Sequence, residues 1–281
     1  MSTLVPTLFS GLVDDASLLP PSFISLPDAA VKHDEHRAAW FAGLLGPLLV
    51  PASAIGAELP AGKLPVALVG DVPVSAVPAA VEKLRASGAM VIHVEAPVAR
   101  RGEDPQPGLA ELRALAGHDE DLEVYAEIPL SWGLLAGLDT VAGRRAEGLR
   151  IAPKFRVGGL AAELFPTPVE LAAVICACRD RDLPFRLAAG LRHALRHTDP
   201  ETGFTHHGFL NVLVASAAAS EGAEVAEVAE LLGATHPVPL VEPARSRRDR
   251  PRPLWAGFGA STILEPVTEL IRLGLINGGY E

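Results

Sequence analysis

Short aliphatic and β-branched runs alternate along the chain with longer stretches whose apolar residues recur at helical spacing. Eight runs read as strands: Thr7–Leu12, Pro47–Pro51, Pro65–Gly70, Met90–Glu95, Leu122–Glu127, Leu149–Arg156, Phe185–Gly190 and Leu254–Gly257. Between them, Val74–Ser87, Gly108–Ala116, Ser131–Arg144, Val169–Arg181, His207–Ser220, Ala223–Leu232 and Ser261–Leu273 carry the helical pattern. The punctuation agrees with it. Gly88 follows the first of these helices as a C-terminal cap. Thr167-Pro168-x-Glu170 is a capping box with proline at the first helical position. The strand starts are about 35 residues apart, enough for one βα unit each.

Continuous apolar strands alternating with helices imply a parallel sheet covered on its faces. Eight such units predict a single α/β domain over residues 1–281, a (β/α)8 TIM-type barrel. The competing architecture is an open doubly wound sheet, but neither a Gly-x-Gly-x-x-Gly nor a Walker motif accompanies the strands. By length alone, 281 residues would also fit two domains.

Composition narrows the function classes. Hydrophobic residues make up 49% and charged residues 21%, enough for a sizeable core. A net charge of -10 argues against nucleic acid and anionic membrane as partners. No apolar run reaches the length of a membrane span, and Met1–Phe9 lacks the basic start of a secretory signal. Two cysteines, Cys176 and Cys178, sit two apart on a helix and point different ways, so neither a disulfide nor a shared metal is expected. A reducing cytoplasm follows as the expected location. Barrels often form homodimers, but no exposed apolar helix face stands out here, and the sequence leaves a homodimer open. The arginine-rich segment Glu242–Pro253 precedes the eighth strand, away from the usual active face, and reads as a solvated loop.

Polar residues crowd the C-terminal strand ends, where barrel active sites lie. These are Asp14 and Asp15 after strand one and Asp71 after strand three. Strand four carries His93 and Glu95, and strand five Glu127. Lys154 and Arg156 follow on strand six, then Arg192, His193, Arg196, His206, His207 and Asn211 after strand seven. Period two puts His93 with Glu95, and Lys154 with Arg156, on one face. Ionisable groups inside a barrel mouth cost desolvation, so their convergence from several strands marks a site.

A lysine among cations in such a place is expected to have a lowered pKa and to attack a carbonyl. Glu127, Glu95 or His93 would move protons. Arg156 and Arg192 would hold a small anionic substrate, with His193, His207, Asn211 and Asp15 completing the rim. The Gly257-x-Gly259 turn would offer backbone N–H groups to an anion. His93, Glu95, Glu127 and His193 could build a metal site, but the adjacent Lys154 and Arg156 disfavour it, and no metal or cofactor is expected.

The segment from Gly88 to Arg192 resembles deoxyribose-phosphate aldolase and, more loosely, other class I aldolases. Lys154-Phe155-Arg156-Val157-Gly158-Gly159 occupies the place of the family's Lys-Thr-Ser-Thr-Gly motif, and Arg186 to Arg192 that of Lys-x-x-Gly-Gly-Val/Ile-Arg. Glu127 matches a strand-five Glu. His93 stands where the family has Asp, and Arg186 where it has a second Lys. The resemblance implies a lyase that forms a Schiff base through Lys154. The whole chain also resembles a bacterial family of unassigned function through Lys154-x-Arg156-x-Gly158-Gly159, Ala189-Gly190-Leu191-Arg192-His193, His207-Gly208-Phe209-Leu210-Asn211 and Phe258-Gly259-Ala260-Ser261. Two alternatives remain beside the lyase. One is a cofactor-free isomerase, dehydratase or decarboxylase with Lys154 as acid/base and Arg156 as anion clamp. The other is a non-catalytic anion-binding barrel.

Overall fold

A computed structural model describes residues 5–22, 24–56, 63–118 and 122–278; both ends of the expected 1–281 domain lie outside the described residues. Eight parallel strands close into a barrel. They are β1 (Val13–Asp15), β2 (Leu45–Pro51), β3 (Pro65–Val69), β4 (Met90–Pro97), β5 (Glu123–Glu127), β6 (Ile151–Arg156), β7 (Phe185–Ala188) and, after a small antiparallel hairpin of β8 (His197–Thr198) and β9 (Thr205–His206), β10 (Trp255–Ala260). The barrel runs β1-β2-β3-β4-β5-β6-β7-β10 and returns to β1. The helices are α1 (Leu26–Ala38), α2 (Val77–Ala86), α3 (Gln106–His118), α4 (Leu134–Ala146), α5 (Pro168–Arg179), α6 (Phe209–Ser220), α7 (Val225–Gly233), α8 (Val238–Ser246) and α9 (Leu264–Arg272). The (β/α)8 expectation therefore holds, and this fold commonly carries enzymes at the C-terminal face of its strands.

Strand register explains the split between core and site. Residues paired across parallel strands point to the same side of the sheet. Lys154 pairs with Glu127 and Arg186, while Phe155 pairs with Leu187. Phe155 and Phe185, which alternate with Lys154 and Arg186, and Phe258, which pairs with the outward Leu187, are fully buried on the outer face under the helices. Phe258 stacks on Phe209 of α6 at 5.6 Å between centroids. On β6 and β7, apolar packing thus faces outward and the charged residues face the interior.

Three regions differ from the sequence expectation. The Thr7–Leu12 run is no strand: Thr7–Phe9 forms a 3-10 turn, and β1 begins at Val13. Its apolar side chains are buried all the same, which is what imitates a strand. Helix α1 is hidden in the sequence because His33 fills a fully buried slot on its inner face, between Ala30 and the polar run that follows. Ser25 caps it, accepting from the Asp28 N–H at 3.2 Å. Helix α8 is masked by Pro239 and Pro243 within and before the arginine-rich segment. That segment is not simply solvated. Arg252 donates to the carbonyls of Leu8 (2.8 Å), Ser10 (3.2 Å), Trp255 (2.6 Å) and Ala256 (2.8 Å), tying the N-terminal segment beneath the barrel.

The Thr167 capping box opens α5 as expected. Cys176 and Cys178 are free, buried residues of that helix, and burial pushes both thiols up. Among the described residues no helix is long and apolar enough to cross a membrane.

Candidate active site

Six ionic side chains form one continuous line inside the barrel mouth. Arg156 Nε donates to Glu127 Oε1 at 3.1 Å. Glu127 Oε2 lies 2.8 Å from Lys154 Nζ. Lys154 Nζ donates to Glu95 Oε2 at 2.9 Å. Glu95 Oε1 lies 3.3 Å from Arg186 Nε, and Arg186 Nη2 closes the line on Asp14 Oδ2. His93 Nε2 lies 3.3 Å from the same Glu95 Oε1, and the His93 ring meets Tyr125 edge-on at 5.2 Å. Tyr125 lies beneath the Arg186 guanidinium, 5.3 Å from ring centroid to Cζ.

These groups come from β1, β4, β5, β6 and β7, so the site exists only when the barrel is closed. Lys154 and Glu95 are 5% and 3% exposed. Glu127 is largely buried, and Arg156 stands half-exposed above it. Glu95 is divided: one oxygen serves Arg186 and His93, and the other faces Lys154.

The electrostatics correct one sequence expectation. Burial alone would lower the Lys154 ammonium, but Glu95 and Glu127 outweigh it, and the pKa is raised. Arg156 and Arg186 do not depress it, because each is in contact with a carboxylate that cancels its charge. Burial likewise opposes ionisation of Glu95 and Glu127. Lys154 holds both carboxyls low, helped by His93 and Arg186 at Glu95 and by Arg156 at Glu127. At neutral pH the site rests as ammonium between carboxylates.

The structure brings Lys154, Glu127, His93 and Glu95 together, with Arg156 at their edge. The remaining expected residues lie elsewhere. Asp15 is on the outer face of β1, where His33 Nδ1 of α1 meets it at 3.2 Å. Gly259 lies within β10, paired with Asp14, rather than in a turn, and the helix after it begins only at Leu264. An ideal Cβ at Gly259 would stand 2.8 Å from Leu49 Cδ1, so a side chain there would have to displace the end of Leu49. Arg192 is exposed and lies 3.6 Å from Glu265. His193 Nδ1 meets Glu269 of α9 at 2.6 Å.

His207 and Asn211 are buried braces. His207 Nε2 meets the Pro166 carbonyl at 2.8 Å, and burial holds its pKa down to about 4. Asn211 accepts from the Arg196 N–H at 2.9 Å and donates to the carbonyls of Leu231 (2.8 Å) and Ala234 (2.7 Å).

Tyr125 is a neighbour of the site that the residue pattern does not single out, and Asp14 is grouped by that pattern with the strand-end polar residues while the rim role goes to Asp15. Which of two adjacent aspartates faces inward depends on where β1 starts. Reading that strand six residues early hid the answer. Tyr125 could have been found by period two from Glu127.

Among the described residues, one group of possible metal ligands lies within 4.8 Å of one another: Asp14, His93 and Glu95. Arg186 already bridges the two carboxylates and Lys154 contacts one of them, so a divalent ion there would compete with two cations. His193, bound to Glu269, is not part of that group.

No protein-family model matches the chain, and no curated protein matches it.

Proposed function

We propose that this barrel is a lyase that acts on a small carbonyl compound through an imine on Lys154. The observation that carries the reading is a buried lysine held at 2.8 and 2.9 Å by two carboxylates at the strand ends. The aldolase-like strand motifs support it.

With an unperturbed lysine pKa near ~10.4, fewer than about one amine in a thousand is neutral at pH 7, and here the pKa is raised further. The proton must therefore move inside the complex. Glu127, nearer the opening, takes a proton from the ammonium as the substrate carbonyl arrives. The free amine attacks the carbonyl carbon, and one proton of the now cationic nitrogen moves to the oxygen to give the neutral carbinolamine. Protonated Glu127 then returns its proton to that hydroxyl, which leaves as water, and the nitrogen becomes an iminium. The iminium carries the same single positive charge as the ammonium, so Glu95 and Glu127 stabilise both. A carboxylate next removes the proton of the substrate's β-hydroxyl. The C–C bond breaks, its electron pair flows to the iminium nitrogen, and an aldehyde departs. Protonation of the enamine carbon and addition of water release the second product.

A second reading is favoured by the raised Lys154 pKa. In it Lys154 never becomes a nucleophile and acts as a general acid for an imine-free isomerase, dehydratase or decarboxylase. Borohydride reduction in the presence of aldehydes and ketones, followed by peptide mapping, separates the two. A reduced adduct on Lys154 that is absent from Lys154→Ala supports the imine. Turnover of a carbonyl compound without any adduct refutes it in favour of the acid–base route.

A further inference from the structure

We infer that the carbonyl compound that reacts at Lys154 is uncharged and rests an apolar portion on Val69 and Leu19, the half-buried members of an aliphatic cluster whose Leu49 and Ala67 are buried beneath them. The inference rests on the carbonyl reading above and names the class of compound it would take.

Charge is the first consideration. Counting histidine as neutral, the interior line holds the cations Arg156, Lys154 and Arg186 and the carboxylates Glu127, Glu95 and Asp14. They cancel. Each cation contacts at least one carboxylate, and Lys154 and Arg186 contact two. An incoming carboxylate or phosphate finds no cation without a partner in this line. It would have to break an existing buried pair and leave a net negative charge in a desolvated mouth, which is costly. Other cations do not change this: Arg252, beneath the barrel and within electrostatic reach of Arg186 and Asp14, has its donors on the carbonyls of Leu8, Ser10, Trp255 and Ala256, away from the mouth. Arg192 is beside Glu265, and Arg196 Nη1 turns to the buried His207, 3.2 Å away, next to Pro166 ahead of α5.

The opposite wall is the second consideration. Val69 pairs with Glu95, Ala67 with His93, and Leu49 with Ala67, so all three point to the interior like their charged neighbours. The closeness of Leu49 Cδ1 to the Gly259 position on β10 places it inside the lumen, past the intervening β1. With Ala16 and the partly buried Leu19, these side chains form an apolar cluster separate from the main core. The mouth is thus divided. One side is a neutralised ionic line, able to polarise a carbonyl. The other is aliphatic and offers nothing to a charged group.

The test is borohydride trapping by the full chain. Propanal, butanal and acetone are compared with glyoxylate, pyruvate and glyceraldehyde 3-phosphate. The readout is the concentration giving half-maximal adduct on Lys154. The expected result is half-saturation about tenfold lower, or more, for the uncharged set, the factor that about 1.4 kcal/mol makes. Val69→Arg, which places a cation beside Glu95 without a carboxylate of its own, should shift the ranking toward the anions.

If wild-type protein traps the anions at equal or lower concentration, the imine stands and the inference falls. If neither set gives an adduct, the imine falls, and thermal stabilisation by the same compounds without borohydride decides the inference. A rise in Tm with the uncharged compounds alone upholds it. A rise with the anions, or with neither set, overturns it.

Discussion

Replacing Glu95 by glutamine removes the central carboxylate of the interior line while keeping its shape. Wild-type Glu95 lies 2.9 Å from Lys154 Nζ and 3.3 Å from Arg186 Nε. At an effective dielectric of about 20, the Lys154 pair alone corresponds to about 6 kcal/mol of gross attraction. The amide oxygen of the substituted side chain still accepts a hydrogen bond, and water relaxes around the unbalanced charge, so the net loss is smaller. Removing one partner of a buried pair costs about 3–5 kcal/mol, and the lower end, about 3 kcal/mol, applies here. For a chain of this size that is a fall in Tm of about 6–12 °C. The assay is thermal and urea unfolding at pH 7.5 of wild type, E95Q, K154M and E95Q/K154M. The double variant restores the interior charge balance, so it should be more stable than the sum of the single losses by about 2 kcal/mol. The acid limb should change as well. Glu95 has a lowered folded pKa, so its contribution is present above the unfolded carboxyl value and is lost as pH falls through the folded one. E95Q should lack that part of the acid loss. An E95Q variant within about 1 kcal/mol of wild type, with additive behaviour in the double variant, would refute the idea that these charges are coupled.

Two further predictions concern the braces around α6. His207 has its pKa lowered from 6.5 to about 4, so its stabilising effect is complete above 6.5 and fades as pH falls toward 4. That window corresponds to about 3 kcal/mol, and His207→Gln should flatten the unfolding free energy across it, as read by urea titrations at stepped pH. Asn211→Ala leaves the Arg196 N–H and the Leu231 and Ala234 carbonyls without their partner, at a cost of about 2–4 kcal/mol in chemical denaturation. An unchanged midpoint would show that water replaces all three bonds.

The repeat of strand and helix was legible because seven of the eight strand runs combine aliphatic continuity with turn residues on both sides. The exception is instructive. Leu8, Phe9 and Leu12 are apolar because they are buried beneath the barrel, and burial without a ladder looks like a strand from sequence. Helices α1 and α8 escaped because one buries a histidine and the other contains prolines. At the site, period two within strands and the common position at strand ends sufficed to group Lys154, Glu127, Glu95 and His93. It could not reveal the protonation logic. Sequence places Arg156 and Arg186 near Lys154, but only the pairing geometry shows their charges spent on Glu127, Glu95 and Asp14. The same limit applies to His207 and Asn211, whose polar side chains are satisfied by main-chain atoms distant in sequence.

Closure of the barrel has a consequence for the order of events during synthesis. β1 is three residues long, and its ladder partner on one side is β10, which ends at Ala260. Its inward aspartate meets Arg186, 172 positions later, and the carbonyls of Leu8 and Ser10 wait for Arg252. A ribosome therefore emits the first strand long before most of what holds it exists. Contacts of such sequence separation carry the largest loop-closure cost and form late. Until the last strand emerges, the Asp14-Asp15 edge and its apolar flank lack half their pairing, and the unfinished chain presents an open sheet margin to its surroundings.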